Sequence, residues 1–286
     1  MTQATSAQGI RIVSLPSGRP VPALGQGTWH MAEDPRRRAD EIASLRLGIE
    51  LGLTLIDTAE MYADGGAEVL VGEAIAGRRN EVFLVSKVLP SHAGRRQAVA
   101  ACERSLTRLR TDHLDLYLLH WREETPLYET VEAFESLVRA GKILEWGVSN
   151  FDVSDMQELA GLAPPTSIAC DQVLYNLAKR GIEWDLMPWC REHRVPIMAY
   201  SPIEQGRVLE DHTLKRIAEH HGVSPSCVAL AWVLHHSDVI AIPKAGTPEH
   251  VRENRASLDV QLTADDLAAL DLAFPPPSGP VPLETH

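Results

Sequence analysis

Short apolar runs rich in β-branched residues alternate along the chain with amphipathic stretches, the pattern of βα units around a parallel sheet. The strand candidates are PALGQGTW (22–29), LTLIDTA (53–59), VFLVSKV (82–88), LDLYLLHW (114–121), ILEWGVSN (143–150), IACDQVLYN (168–176), PIMAYSP (196–202) and VIAIPK (239–244). Between them RADEIASLRLGIELG, AEVLVGEAIAG, RRQAVAACERSLTRLR and LYETVEAFESLVRAG place apolar residues at helical spacing. Gly52 and Gly141 stand where a helix C-cap precedes a strand, and Pro126 and Pro248 suit first helical turns. Two helices are expected between the last two strands, over TLKRIAEHHG and SPSCVALAWVLHH. TADDLAALDLAF (263–274) adds a terminal helix capped by Thr263. No Pro/Gly/Ser linker divides the chain, so about eight units predict an α/β fold, a single (β/α)8 TIM barrel spanning residues 1–286 as one domain with an extra C-terminal helix. The stretch after that helix is too short to wall a pocket, and a small or open site is expected.

Parallel strands covered on both faces are nearly all apolar, so polar residues at strand ends are informative. Asp57 closes LTLID, Lys87 closes VFLVSK, His120 closes LDLYLLH, Ser149 and Asn150 close WGVSN, Gln172 interrupts IACDQVLYN, and Lys244 closes VIAIPK. Tyr62 lies in the loop leaving the second strand. In such a barrel all strand C-termini open on one face, so these residues predict one convergent site. Each alone has a plainer reading: a cap for Asp57, a surface position for Lys87, a satisfied buried imidazole for His120. Together they would place an acid and a base at a barrel mouth, where burial is costly unless the charges pair or do chemistry.

A formal net charge of −12 repels phosphate backbones, so no nucleic-acid partner is expected. No apolar run is long enough to cross a bilayer, and the start of the chain lacks an export-signal pattern, which predicts no membrane partner and a cytoplasmic location. Cys102, Cys170, Cys190 and Cys227 form no CxxC pair and are read as reduced and buried. The pairs His220-His221 and His235-His236 have no acid or thiol at ligand spacing, so no metal is expected. The run Arg36-Arg37-Arg38 is read as a solvated face.

A tyrosine phenol, with an ordinary pKa near ~10, is a poor acid at neutral pH unless neighbours stabilise its phenolate. Lys87 is expected to lower the Tyr62 pKa, with Asp57 keeping the ammonium charged, while neutral His120 orients a substrate oxygen. Such a group protonates a carbonyl but reduces nothing, so a hydride source is required. Gly25-Gln26-Gly27 opens no GxGxxG, which removes a Rossmann site. Phosphates in barrels bind near the seventh and eighth strands, where Lys244, Thr247, Arg252 and the helix after Pro248 offer a cradle. Tyr200 suits stacking on a flat ring, and Ser149, Asn150 and Gln172 suit a carboxamide. Trp29, Trp121 and Phe151, at strand ends, are expected to line a substrate pocket.

The strings LIDTAEMY, LVSKV, LDLYLLHW, GKILEWGVSN, DQVLYN, MAYSP and IPKAGTPEHVRENR resemble the motifs of the aldo-keto reductase family from about Pro22 to Leu270, in particular small bacterial members of methylglyoxal-reductase type. The resemblance implies an NADPH-dependent oxidoreductase for aldehydes and ketones, with Asp57, Tyr62, Lys87 and His120 as its catalytic tetrad. It implies cofactor contacts from Thr28, Ser149, Asn150, Gln172, Tyr200, Ser201, Ile203, Lys244, Thr247, Glu253 and Asn254, and a small carbonyl substrate taken by a monomer. Ala245 stands where the family has Ser, and His250 where it has Arg; Lys244 keeps NADPH ahead of NADH. Two other readings remain, a non-catalytic nicotinamide-binding regulatory barrel and a barrel aldolase using Lys87 as a Schiff-base amine.

Overall fold

The computed structural model describes residues 9–286; the first eight, part of the stretch read for an export signal, lie outside the described residues. An antiparallel hairpin, β1 (Ile12–Ser14) and β2 (Pro20–Pro22), comes first and was not signalled by the sequence. Eight parallel strands follow in sheet order: β3 (Gln26–Gly27), β4 (Leu55–Asp57), β5 (Phe83–Val88), β6 (Leu114–Leu119), β7 (Ile143–Ser149), β8 (Ile168–Leu174), β9 (Ile197–Tyr200) and β10 (Val239–Ala241). Parallel bridges from Leu24 to Ala241 and from Gly27 to Lys244 join first strand to last and close the barrel.

Helices α1 (Arg38–Glu50), α2 (Gly66–Ala74), α3 (Arg95–Leu109), α4 (Leu127–Arg139), α5 (Val153–Leu162), α6 (Leu186–His193), α7 (His212–His221), α8 (Pro225–His235) and α9 (Pro248–Ala256) alternate with the strands, and α10 (Ala264–Ala273) closes the series. The two helices expected between the last strands are α7 and α8. Gly52 and Gly141 take positive φ just past α1 and α4, as C-cap glycines do. Thr263 caps α10 through a reciprocal capping box with Asp266.

Two apolar layers hold these elements. The larger lies between strands and helices, and the smaller fills the barrel with Leu55, Val85, Leu116, Leu118, Cys170, Met198, Ile240 and Ile242. Val13, Leu15, Val21 and Ala23, from the hairpin and the residues beside it, join the smaller cluster. The hairpin therefore plugs one end of the barrel and leaves the other end for ligands. The first strand is shorter than its apolar run because its glycines meet neighbouring strands closely: a Cβ at Gly27 would lie 2.6 Å from the Ile242 carbonyl oxygen. Gly27→Ala is expected to destabilise the fold by about 1–3 kcal/mol through overpacking at this seam. Urea denaturation checks this, and an unchanged midpoint would show that the seam is loose.

Candidate active site

Side chains alternate along a strand, so the residue two places after each interior apolar position also points into the barrel. That step takes Leu55 to Asp57 on β4, Val85 to Lys87 on β5, Leu118 to His120 after β6, Cys170 to Gln172 on β8 and Met198 to Tyr200 on β9. The polar residues are thus the top layer of a filled barrel. They face a cavity of about 880 Å³ that Asp57, Tyr62, His120, Ser149, Asn150, Gln172 and Tyr200 line.

Lys87 is 0% exposed. Its Nζ donates to Asp57 Oδ2 at 2.8 Å, to the Thr58 carbonyl at 2.9 Å and to the Tyr62 hydroxyl oxygen at 3.2 Å, which uses all three ammonium protons. Asp57 is fixed on its other side, where Gln172 Nε2 donates to Oδ1 at 2.9 Å. Tyr62 begins a tight turn in which Ala63 and Asp64 hold positive φ before Gly65 and α2. Its ring meets the His120 ring edge-on at 5.8 Å between centroids.

Burial is the largest influence on Lys87, Tyr62 and His120. It would lower the Lys87 pKa, but Asp57 and the Tyr62 oxygen outweigh it and the ammonium stands above the ordinary lysine value. It raises the Tyr62 pKa, with Lys87 opposing. The expectation of a lowered phenol pKa therefore fails, because desolvation exceeds the pull of the ammonium. Burial and then Lys87 hold His120 well below the usual imidazole value, so the ring is neutral. Its Nδ1 is buried without a hydrogen-bond partner.

Asn150, at φ 59°, donates to the His120 carbonyl at 3.0 Å and to Ser149 Oγ at 3.1 Å, and accepts from the Tyr200 hydroxyl at 2.9 Å. Ser149 Oγ donates to the Gln172 carbonyl at 2.7 Å. Ser201, Ile203, Lys244, Glu253 and Asn254 line the same cavity further along, as do Trp29 and Trp121. Three residues expected to contact ligand do not line the cavity. Phe151 is 0% exposed and packs in the outer core, because the chain turns away after Ser149. The Thr28 hydroxyl is buried and donates to the Asp57 carbonyl at 2.9 Å, so it braces the acid. Thr247 caps α9, accepting from the His250 amide.

The expectation that the segment after the last helix is too short to wall the pocket is corrected. Thr285 and His286 line the cavity, and the His286 ring stacks near Trp29 at 6.0 Å and tilts toward Tyr200 at 6.0 Å. Lys179 pairs with Glu284 at 2.6 Å along this return path. A proline-rich tail carries no periodicity, so nothing in the sequence announced the return. The basic run is not uniformly solvated: Arg36 pairs with Asp34 and Arg38 with Glu73, while Arg37 turns toward Lys244. Arg252 folds back onto the Pro248 carbonyl at 3.3 Å. The four cysteines are buried and unbridged, and His221 bonds Asp266.

A neutral imidazole has a sign-determined effect on stability. The unfolded chain takes up a proton at His120 as pH falls through 6.5, and the folded chain does not. The stability of the neutral form is therefore present above that pH and lost below it. The gap in unfolding free energy between wild type and His120→Gln is expected to shrink by up to about 1.4 kcal/mol per pH unit on acidification. Urea denaturation from about pH 7.5 to about pH 5 measures it. A pH-independent gap would contradict a neutral imidazole.

Comparison with known proteins agrees with this geometry. Residues 23–273 match the Aldo/keto reductase family. Methylglyoxal reductase YeaE of Escherichia coli is 55% identical over 269 residues, covering 92% of this chain and 95% of that protein. Glyoxal reductase of Bacillus subtilis is 34% identical, covering 91% of each. The crystal structure of an aldo/keto reductase from Klebsiella pneumoniae in complex with NADP and acetate superposes with a TM-score of 0.94 at 51% identity, over 96% of this chain and 99% of that one. A barrel with this top layer, matched along nearly its whole length, belongs to the aldo/keto reductase family.

Proposed function

We propose that the chain reduces aldehydes and ketones to alcohols with NADPH as cofactor, acting on small dicarbonyls such as methylglyoxal and on aromatic aldehydes. The observation that carries this reading is the single ammonium, Lys87 Nζ, held against both Asp57 and the Tyr62 oxygen at the cavity floor. The names of the relatives support the substrate class, and the Klebsiella structure with NADP supports the cofactor over NADH.

The residues fit a nicotinamide cofactor. Gln172 spends its amide protons on Asp57 and Met198 and keeps its Oε1 as an acceptor, beside Ser149 and Asn150, for a carboxamide. Tyr200 offers a ring face, and Ser201 and Ile203, which line the same cavity, would hold the pyrophosphate. Glu253 and Asn254 stand for the adenine. When bound, the cofactor supplies a hydride to the carbonyl carbon.

The protein's own part is the proton. Because the Tyr62 oxygen accepts from Lys87, its O–H is left to point into the cavity, and its raised pKa keeps it protonated at neutral pH. Tyr62 gives that proton to the carbonyl oxygen, and Lys87 stabilises the phenolate left behind. An N–H at the partnerless Nδ1 of His120 would be buried without an acceptor, so the ring carries its proton on Nε2 and donates it toward the substrate oxygen. Trp29 and Trp121 hold the carbonyl carbon's substituents.

A Schiff base at Lys87 fails on geometry: it needs an accessible neutral amine, and this one is buried, charged and fully hydrogen-bonded. A purely regulatory barrel would not need the Lys87–Tyr62 contact. The acidic charge and the four unbridged cysteines support a cytoplasmic enzyme without a nucleic-acid partner, and we read it as one barrel domain working as a monomer. Tyr62→Phe is expected to slow methylglyoxal-dependent NADPH oxidation by roughly 10²–10⁴-fold while leaving NADPH affinity unchanged. Absorbance of the reduced cofactor measures the rate; a variant as fast as wild type would remove Tyr62 from the chemistry.

A further inference from the structure

Barrel closure brings together two segments far apart in the chain. Gly27 of β3 bridges to Lys244, and its amide donates to the Pro243 carbonyl at 3.0 Å. The segment leaving β3 therefore runs beside the one leaving β10. The first ends in a 3₁₀ turn, Pro35–Arg37, just before α1, and α1 packs against α9. The meeting point is Gly246: a Cβ there would lie 2.8 Å from Arg37 Nη2 and 3.1 Å from Lys244 Nζ.

Two cations thus converge on one backbone position. Their neighbours in the basic run are neutralised, Arg36 by Asp34 at 2.8 Å and Arg38 by Glu73 at 2.9 Å. Among the described residues neither the Arg37 guanidinium nor the Lys244 ammonium has a side-chain hydrogen bond or a carboxylate within 4.0 Å. Burial lowers the Lys244 pKa, Arg37 lowers it further, and Glu41 and Glu33 act in the other direction from a distance. Like charges held this close without a counter-ion form a standing site for an anion, and a guanidinium beside an ammonium suits a phosphate dianion.

The position where the family pattern has an arginine carries no guanidinium, only His250, which lines the cavity beside Lys244. His250 is exposed at the start of α9, and Arg252 is turned onto the Pro248 carbonyl. Gly246, with no side chain between the cations, leaves the space open. We propose that Arg37, reaching across the barrel seam, is a specificity-determining residue that with Lys244 binds the 2′-phosphate on the adenosine ribose of NADPH. This rests on the reading of the chain as a nicotinamide-dependent reductase. The missing charge of α9 is supplied from the turn before α1.

Calorimetric titration of the purified protein with NADP⁺, NAD⁺ and 2′,5′-ADP tests this on binding alone. Arg37→Met is expected to weaken NADP⁺ and 2′,5′-ADP by roughly tenfold to a hundredfold and to leave NAD⁺ within about twofold. Arg36→Met, at an exposed neighbour in the same turn, is expected to change none of the three. The loss is expected to shrink on going from roughly 0.1 M to 0.5 M salt. Unchanged NADP⁺ affinity in Arg37→Met, or equal losses for NADP⁺ and NAD⁺, overturns the assignment of Arg37 while the reductase reading stands. A wild type that binds neither dinucleotide overturns both.

Discussion

A lysine ammonium with no exposure to water is the constraint around which the rest of the site is arranged. Left alone in a barrel core, Lys87 would lose its proton; Asp57 at 2.8 Å prevents that. The carboxylate needs support of its own, which comes from Gln172 across the barrel. Thr28 braces the same residue through its carbonyl. The ammonium has one proton left after Asp57 and the Thr58 carbonyl, and it goes to Tyr62. Positive charge is thereby delivered to Tyr62, while Tyr200, the other phenol lining the cavity, bonds Asn150; burial, reinforced by the same ammonium, keeps the imidazole of His120 neutral. Removing either charged partner would leave the other buried and uncompensated.

This arrangement was readable in the sequence for a physical reason. A filled parallel barrel leaves polar residues only at the top of its interior columns, so Asp57, Lys87, His120 and Gln172 stood out against apolar runs. Helices α7 and α8 and the cap at Thr263 were legible through periodicity and capping chemistry. The hairpin at Ile12–Pro22 was not, since its two three-residue strands and prolines give no alternation long enough to read. Phe151 was misplaced because a strand-end position does not say which way the loop then turns.

Two further features escaped because they depend on tertiary closure. Residues 285 and 286 come back across the mouth from a proline-rich tail without a pattern of its own. Arg37 meets Lys244 only because the first strand is sealed to the last. Read in isolation, a run of three arginines is a solvated surface; folded, its members have three different environments. The direction of the Tyr62 shift was likewise a matter of magnitude, desolvation against a neighbouring charge, which only the packed structure decides.

The central claim is that Asp57 and Lys87 act on Tyr62 as one unit, and a double-mutant cycle on the single-turnover rate of carbonyl reduction at saturating NADPH tests it most directly. If Asp57 works by holding the ammonium against the phenol, Asp57→Asn combined with Lys87→Met costs little more than Lys87→Met alone. Losses that multiply independently would contradict the account.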